Sequence, residues 1–459
     1  MRTARRELRN KSSCCDARSN VGKTLQTGRY ASLEQTVRRA STFSLHFWRV
    51  PCVAGPAKDF LVERNNKFRL PKMIAAITVD PVPSEEKRVF LPLTEASSLP
   101  RKYLHDDKVY REEWEHIFSH SWLCVGRAED LPEVGSFVLR DIGDESIISV
   151  RGSDHQIRSF YNVCRHRGSR VLEESSGKVA SIKCPYHSWT YSIEGGLIGA
   201  PHTDDLTNFN KKSYSLLPIK CETWGGFVFV NFDDHAPPVK EHLKPLVQKF
   251  ANLPLDTLKR GGRIEYDVAA NWKIICENYS ECYHCPTIHP ELNKITYYRT
   301  SYNFAFLMDE ESKGAISGGW MELSDGVDSM TLTGKTKRPP IKGTAKEDMR
   351  RIYYFLVFPS MFFSLHQDYL LVHTVHPRDP THSKVVCEWY FEPETMARPD
   401  FDPNDAIKMW DLINRQDWHV CELTQKGVKS RAFAPGRYTS LEGTVHDFDE
   451  YILDIMGEK

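Results

Sequence analysis

The chain has 459 residues, 61 Lys+Arg against 61 Asp+Glu, and 40% hydrophobic residues, enough to bury the cores of two domains. The balanced charge gives no reason to expect a nucleic-acid partner. No uninterrupted apolar stretch reaches the eighteen or so residues that a membrane-spanning helix needs.

That neutrality conceals an asymmetry. The first 72 residues hold 16 Lys+Arg and 5 Asp+Glu, a balance of +11, and the remainder carries −11. A basic, Ser/Thr-containing leader over residues 1–75 is similar to an organelle transit peptide. It also reads as a disordered extension, or as upstream sequence with Met73 the true start. The expected location is soluble and intracellular: a chloroplast or mitochondrion if the leader is a transit peptide, the cytoplasm otherwise. The twelve cysteines show no regular framework spacing, so a reducing compartment is expected rather than disulfides.

Beyond the leader, Tyr110, Trp114 and Phe118 recur four apart and predict a helix over Asp106–Ser119, part of a helical stretch at 90–120 that packs on a later domain. From 121 to 235 the chain turns to short alternating runs, such as Ser146–Val150 and Phe227–Phe232, the pattern of an antiparallel β domain. Gly195-Gly196 after Trp189-Thr190-Tyr191 predicts a hairpin. Within this region stand Cys164-Arg165-His166 and, after 17 intervening residues, Cys184-Pro185-Tyr186-His187. Two thiolates and two imidazoles, one of each per loop, are the ligand set of a Rieske [2Fe–2S] cluster. Zinc modules group their ligands as C-x2-4-C with H-x3-5-H, which this order fits poorly.

Residues 236–459 mix helical stretches with long strands, notably Ile352–Phe363 and Tyr369–Val375, and predict a second, α+β domain with a curved antiparallel sheet. At its start the segment Asn271–Pro290 carries His284 and His289, five apart, where a helix gives way to a loop. Asp402-Pro403 opens a further helix, Asp as N-cap and Pro at the first helical position. Ala406, Met409, Trp410, Ile413 and Cys421 follow at helical spacing, and Asp417 falls on their buried stripe. A buried carboxylate needs a partner, and a metal is one. His284, His289 and Asp417 would make a two-His-one-carboxylate triad for non-haem Fe(II). Cys276, Cys282 and Cys285 nearby read as small packing residues, with a second metal site the less favoured alternative.

Taken together, residues 90–455 resemble the α-subunit of a Rieske-type non-haem iron oxygenase. The cluster motif falls on Cys164, His166, Cys184 and His187. The iron motif N-W-K…E-N-x-x-E-x-x-H-x4-H falls on Asn271–His289, and D-x3-C-E-x2-Q-x-G falls on Asp417, Cys421, Glu422, Gln425 and Gly427. One departure is Ser188, where many members carry Gly. The resemblance implies a Rieske [2Fe–2S] domain plus a helix-grip-like catalytic domain holding mononuclear Fe(II). It implies O2 as co-substrate and electrons from NAD(P)H through a separate flavin or ferredoxin-type reductase, since no G-x-G-x-x-G motif is visible here. It also implies a head-to-tail homotrimer in which each cluster serves a neighbour's iron. Glu281 would bridge toward a cluster histidine of the adjacent subunit, the helix continuing to His284, and Asn278 would hydrogen-bond near the ligands. Around His284 and His289 the sequence is most similar to the choline, carnitine and glycine-betaine oxidising members. A quaternary cation has no N–H and is held by aromatic faces, which Tyr297, Tyr298, Tyr302, Phe304 and Trp320 could provide. The alternative within the family is an aromatic-ring-hydroxylating dioxygenase α-subunit. A bare Rieske electron carrier would need neither the paired histidines nor Asp417.

Overall fold

The short apolar runs between Leu123 and Asn231 fold as expected into antiparallel strands, several of them, such as Glu145–Arg151 and Phe227–Asn231, buried on both faces. The computed structural model describes residues 83–300, 302–303 and 315–458; the basic leader lies outside them. A seven-stranded sheet runs in the order Leu123–Arg127, Phe227–Asn231, Pro218–Trp224, Ile157–Tyr161, Glu145–Arg151, Ser136–Ile142, Ser176–Lys178. A three-stranded sheet, Ile182–Lys183, Thr190–Tyr191 and Leu197–Gly199, lies over a shared core containing Phe137, Ile148, Phe160, Trp189 and Tyr191. The Gly195-Gly196 turn closes its second hairpin, with Gly195 at φ +89. A Cβ there would lie 2.5 Å from the Phe160 ring, so both backbone and packing demand glycine.

A second seven-stranded antiparallel sheet follows the order Lys259–Val268, His382–Phe391, Leu370–Asp379, Met361–Leu365, Arg351–Val357, Ile316–Glu322, Tyr302–Asn303, and curls into a half-barrel. Its two faces bury different cores. Tyr353, Phe355, Met361 and Phe363 pack against Val239, Leu243 and Phe250. Phe362, Leu371, Val385, Cys387 and Trp389 belong to the core shared with the helices that carry the functional residues. The run expected as one strand over Ile352–Phe363 is two, because Pro359 has no N–H to give a ladder and the chain turns there.

Four helices matter for the site: α1 (Asp107–His116), α2 (Trp272–Tyr279), α3 (Asn404–Val428) and α4 (Gly443–Ile455). Asp106 caps α1, accepting from Lys108 and Val109 N–H. The helix stops three residues sooner than predicted, and Phe118 sits in a following 3-10 turn. Its buried side chains are Val109 and Glu113 rather than the Tyr110/Trp114 stripe. α3 starts at Asn404, one residue later than expected, yet Asp402 Oδ1 still accepts the Asn404 N–H at 2.9 Å.

The triplet Asn271-Trp272-Lys273 is explained by what it grips. Asn271 caps α2 through its Oδ1, donates from Nδ2 to Pro380 O (2.7 Å), and gives its own N–H to Gln425 Oε1 on α3 (2.7 Å). Glu422 accepts from Ala269 N–H (3.3 Å), and Gln425 passes on to Leu104 O (3.0 Å). The C-terminal motif is thus a docking face for α2. Nothing in the structure requires glycine at 427, where a Cβ would have open space. On the other side Glu113 of α1 takes the Trp272 indole N–H (2.8 Å) and a salt bridge from Lys273, with both charged side chains fully buried. Removing one member of such a pair strands the other charge. Lys273→Met should cost about 3–5 kcal/mol of stability, and adding Glu113→Leu should recover much of it. Chemical denaturation of the three variants checks this; equal losses in single and double variants would contradict it.

Candidate metal centres

The two cluster loops have the same local design. Cys164 N–H donates to Ser169 O (2.8 Å) and Gly168 N–H returns to Cys164 O (2.9 Å); Cys184 N–H donates to Trp189 O (2.8 Å) and Ser188 N–H returns to Cys184 O (3.1 Å). Each loop needs a left-handed residue four after its cysteine: Gly168 at φ +74 and Ser188 at φ +60. Ser188, the departure from the family pattern, therefore sits where glycine is the unstrained choice. The loops bury both cysteines and leave both histidines exposed. The His166 and His187 rings lie 4.7 Å apart, and Trp189 stacks on His166 at 4.9 Å. Inner sulfurs and outward imidazoles are the donor set a Rieske cluster requires.

Tyr191, which the sequence did not mark, completes this site. Its buried hydroxyl accepts from Arg165 N–H (3.0 Å) and lies 3.3 Å from Cys164 Sγ. Burial, followed by the Cys164 contact, raises its pKa, so the phenol keeps its proton to donate. A hydrogen bond to a ligand sulfur stabilises the reduced cluster. Tyr191→Phe should lower the cluster's reduction potential without loss of the cluster, as read by redox titration; an unchanged potential would remove Tyr191 from the site.

The second centre is assembled from two helices. α2 ends at Tyr279, with Ser280 closing it through N–H bonds to Cys276 O and Glu277 O. The helix therefore does not continue to His284, as expected from the sequence. A separate turn, Cys285–Ile288, has Pro286 as its second residue, and His284 and His289 flank it. This brings the two rings 5.1 Å apart on one side. α3 delivers Asp417, whose Oδ1 lies 2.8 Å from His289 Nε2 and 3.4 Å from His284 Nε2. One donor atom from each of the three residues lies within 4.8 Å of the others. Each histidine is oriented through its other nitrogen, as metal-ligating histidines usually are. His289 Nδ1 is 2.7 Å from Gln416 Oε1, a partner not anticipated, and His284 Nδ1 is 2.5 Å from Glu281 Oε1. Burial opposes charge on Asp417, but hydrogen bonds from both histidines outweigh it and hold its pKa low.

His284 shows the same tension reversed. Burial alone would push it down, yet Asp417 and Glu281 on its two nitrogens raise it to about 10. Iron must displace that proton to bind Nε2. Fe(II) affinity of the apoprotein should therefore rise roughly tenfold per pH unit between neutrality and about pH 9, one proton being released. Anaerobic Fe(II) titration at several pH values checks this; pH-independent affinity would contradict it.

The remaining expected residues make other contacts. Asn278 is half-buried on the last turn of α2 and makes no hydrogen bond to the triad among the described residues. Tyr297 is 49% exposed, and the Arg351 guanidinium covers the Trp320 ring at 4.9 Å. Tyr298 accepts from Arg299 at 2.9 Å. Phe304 and the Tyr302 side chain lie outside the described residues. Tyr279, Phe362, Trp410 and Trp418 gather around His373, a ring that lies within electrostatic reach of Asp417. Tyr279 stacks on Phe362 at 4.0 Å and bonds Ser364 Oγ at 2.8 Å. The neighbouring cysteines are packing residues: Cys276 and Cys285 are buried, and all the described cysteines are free.

With two such centres in one chain, comparison with known proteins is decisive. Residues 121–210 match the Rieske [2Fe-2S] domain, and residues 255–458 match the ring hydroxylating alpha subunit catalytic domain. The chain is 31% identical to the glycine betaine monooxygenase oxygenase subunit of Pseudomonas aeruginosa, covering 79% of this chain and 90% of that protein. It is 31% identical to the carnitine monooxygenase oxygenase subunit of Escherichia coli K12, covering 74% and 86%. A solved quaternary ammonium Rieske monooxygenase, studied for carnitine oxidation and inter-subunit electron transfer, superposes with TM-score 0.68 at 26% identity, over 81% of this chain and 98% of that one. The chain belongs to the Rieske non-haem iron oxygenases, as an oxygenase subunit that carries a [2Fe–2S] cluster and a mononuclear iron. No helix among the described residues is long and apolar enough to cross a membrane.

Proposed function

We propose that this chain is the oxygenase component of a monooxygenase acting on a small quaternary ammonium compound. The reaction is either choline to betaine aldehyde or N-demethylation of a betaine- or carnitine-type substrate. The observation that carries this reading is the cluster of aromatic rings, Tyr279, Phe362, Trp410 and Trp418, around His373, within electrostatic reach of Asp417. A tetraalkylammonium head offers no hydrogen-bond donor, and aromatic faces bind it by cation–π attraction. Similarity to glycine betaine and carnitine monooxygenases along most of the chain supports the same class.

In this reading residues 121–235 form the Rieske module, and 236–459 with the segment 90–120 form the catalytic one. Cys164, Cys184, His166 and His187 hold the cluster; His284, His289 and Asp417 hold the iron. When bound, the iron supplies O2 activation, with electrons entering through the cluster. Overall, one C–H, O2, two electrons and two protons give C–OH and water. Hydroxylation of choline's alcohol carbon yields the hydrated aldehyde; hydroxylation of an N-methyl releases formaldehyde. The electrons come from NAD(P)H through a separate reductase. Glu281 keeps His284 Nδ1 protonated and its ring oriented, and in a homotrimer it would link that histidine to a cluster histidine of the neighbouring subunit. Support for such docking is the exposure of the cluster edge, where His166 and His187 stand beside Tyr186 and Leu206, each more than half exposed. Asn278 is proposed as a group that orients reactants near the iron.

The test is reductase-driven oxygen uptake with choline, glycine betaine and carnitine, assaying aldehyde and formaldehyde. Asp417→Ala should abolish product, lower iron from about three to about two per chain, and leave the cluster's absorbance. Glu281→Gln should slow single-turnover transfer with both metals retained. No coupled oxidation of any quaternary compound, or cis-diol formation from an aromatic ring instead, would overturn the proposal.

A further inference from the structure

A chain of hydrogen bonds through α3, the helix that carries Asp417, ends on a nitrogen with no partner among the described residues. It starts at Asp411 of α3, whose carboxylate pairs with Arg415 at 3.0 Å and can only accept. Tyr266 therefore donates its hydroxyl proton to Asp411 Oδ1 (2.9 Å). With that proton committed, the Tyr266 oxygen accepts from Asn414 Nδ2 (3.3 Å), which also approaches Cys387 Sγ at 3.5 Å. This fixes which end of the Asn414 amide faces the sheet: its Oδ1 lies 3.1 Å from His373 Nε2. An amide oxygen only accepts, so Nε2 carries the imidazole proton and Nδ1 is a bare lone pair. His373 is 2% exposed, and its Nδ1 has no partner among the described residues. Burial pushes the ring down to about 4, the Asn414 bond and the Asp417 charge only partly opposing. At neutral pH Nδ1 therefore remains an acceptor.

The ring stands among the aromatic groups named above: Phe362 at 5.8 Å, Tyr279 and Trp418 at 6.4 Å, Trp410 at 6.5 Å between centroids. A buried acceptor left unpaired is unfavourable, and such groups in enzymes commonly have a ligand or water as partner. We propose that His373 Nδ1 accepts a hydrogen bond from a substrate hydroxyl, so that the pocket selects a quaternary ammonium alcohol, of the choline or carnitine kind, over a compound without an O–H. This rests on the function proposed above and narrows it. A bare lone pair also repels a carboxylate placed against it, which disfavours glycine betaine in the same position.

The test compares pairs that differ chiefly in the hydroxyl: choline with propyltrimethylammonium, and carnitine with γ-butyrobetaine. Binding to the holoenzyme is measured calorimetrically without O2. The hydroxyl-bearing member should bind at least about tenfold more tightly in one of the pairs. His373→Leu should bring that ratio close to one by weakening only the alcohol. Tyr266→Phe, which leaves the pocket wall intact, frees the Asn414 amide to turn over and should reduce the ratio partway. Equal affinities within both pairs in the unmodified enzyme, or a ratio unchanged in His373→Leu, would overturn the assignment while leaving the proposed function standing. Failure of all four compounds to bind would overturn both.

Discussion

The buried Glu113 carboxylate, held between Lys273 and the Trp272 indole, fixes the start of α2. Gln425 and Glu422 fix the same start from α3. The iron site depends on that clamp. Two of the candidate ligands follow the far end of α2, and the third projects from α3, so any slip between the helices would separate Asp417 from the histidines. Buried charge is an expensive means of alignment, but it is directional in a way that the surrounding apolar contacts are not. The arrangement places the alignment devices two turns of helix away from the chemistry they serve.

Electrostatics at the triad follow from the same geometry. His284 lies between two carboxylates and would be cationic until iron enters, whereas Asp417 is kept ionised by two imidazoles. The site is thus organised around a positive charge at the centre of three donors. His373 is neutral because burial lowers its pKa and only the Asn414 hydrogen bond and the Asp417 charge oppose it. Two imidazoles in one core therefore have opposite characters, because His284 has carboxylates on both nitrogens to outweigh burial and His373 does not. One suits a cation, the other an uncharged donor.

The cluster loops show a different economy. Their ligands are close in sequence, and each loop is closed by its own backbone hydrogen bonds, so the spacing of Cys164, His166, Cys184 and His187 already specifies the shape. By contrast, the expected cage residues Tyr297 and Trp320 stand near His289 in sequence, Trp320 with the Arg351 guanidinium over its ring and Tyr297 half-exposed. The rings that gather around His373 come from α2, α3 and the strand Met361–Leu365, segments distant from one another along the chain. The helix expected to run through to His284 fails for a local reason: Ser280 closes α2 and Pro286 is the second residue of a new turn.

The candidate donor sets, the order of the two family domains and the β-then-α+β character were legible in the sequence alone, because they rest on short spacings and on periods of two and 3.6 residues. The polarity of the hydrogen bonds was decided only by the tertiary structure. That Gln416 serves His289, that Tyr191 reaches Cys164, and that His373 keeps a free lone pair each depend on contacts between segments at least 25 residues apart. A donor's proton goes where the nearest acceptor is, and nearness across a fold is not written in spacing.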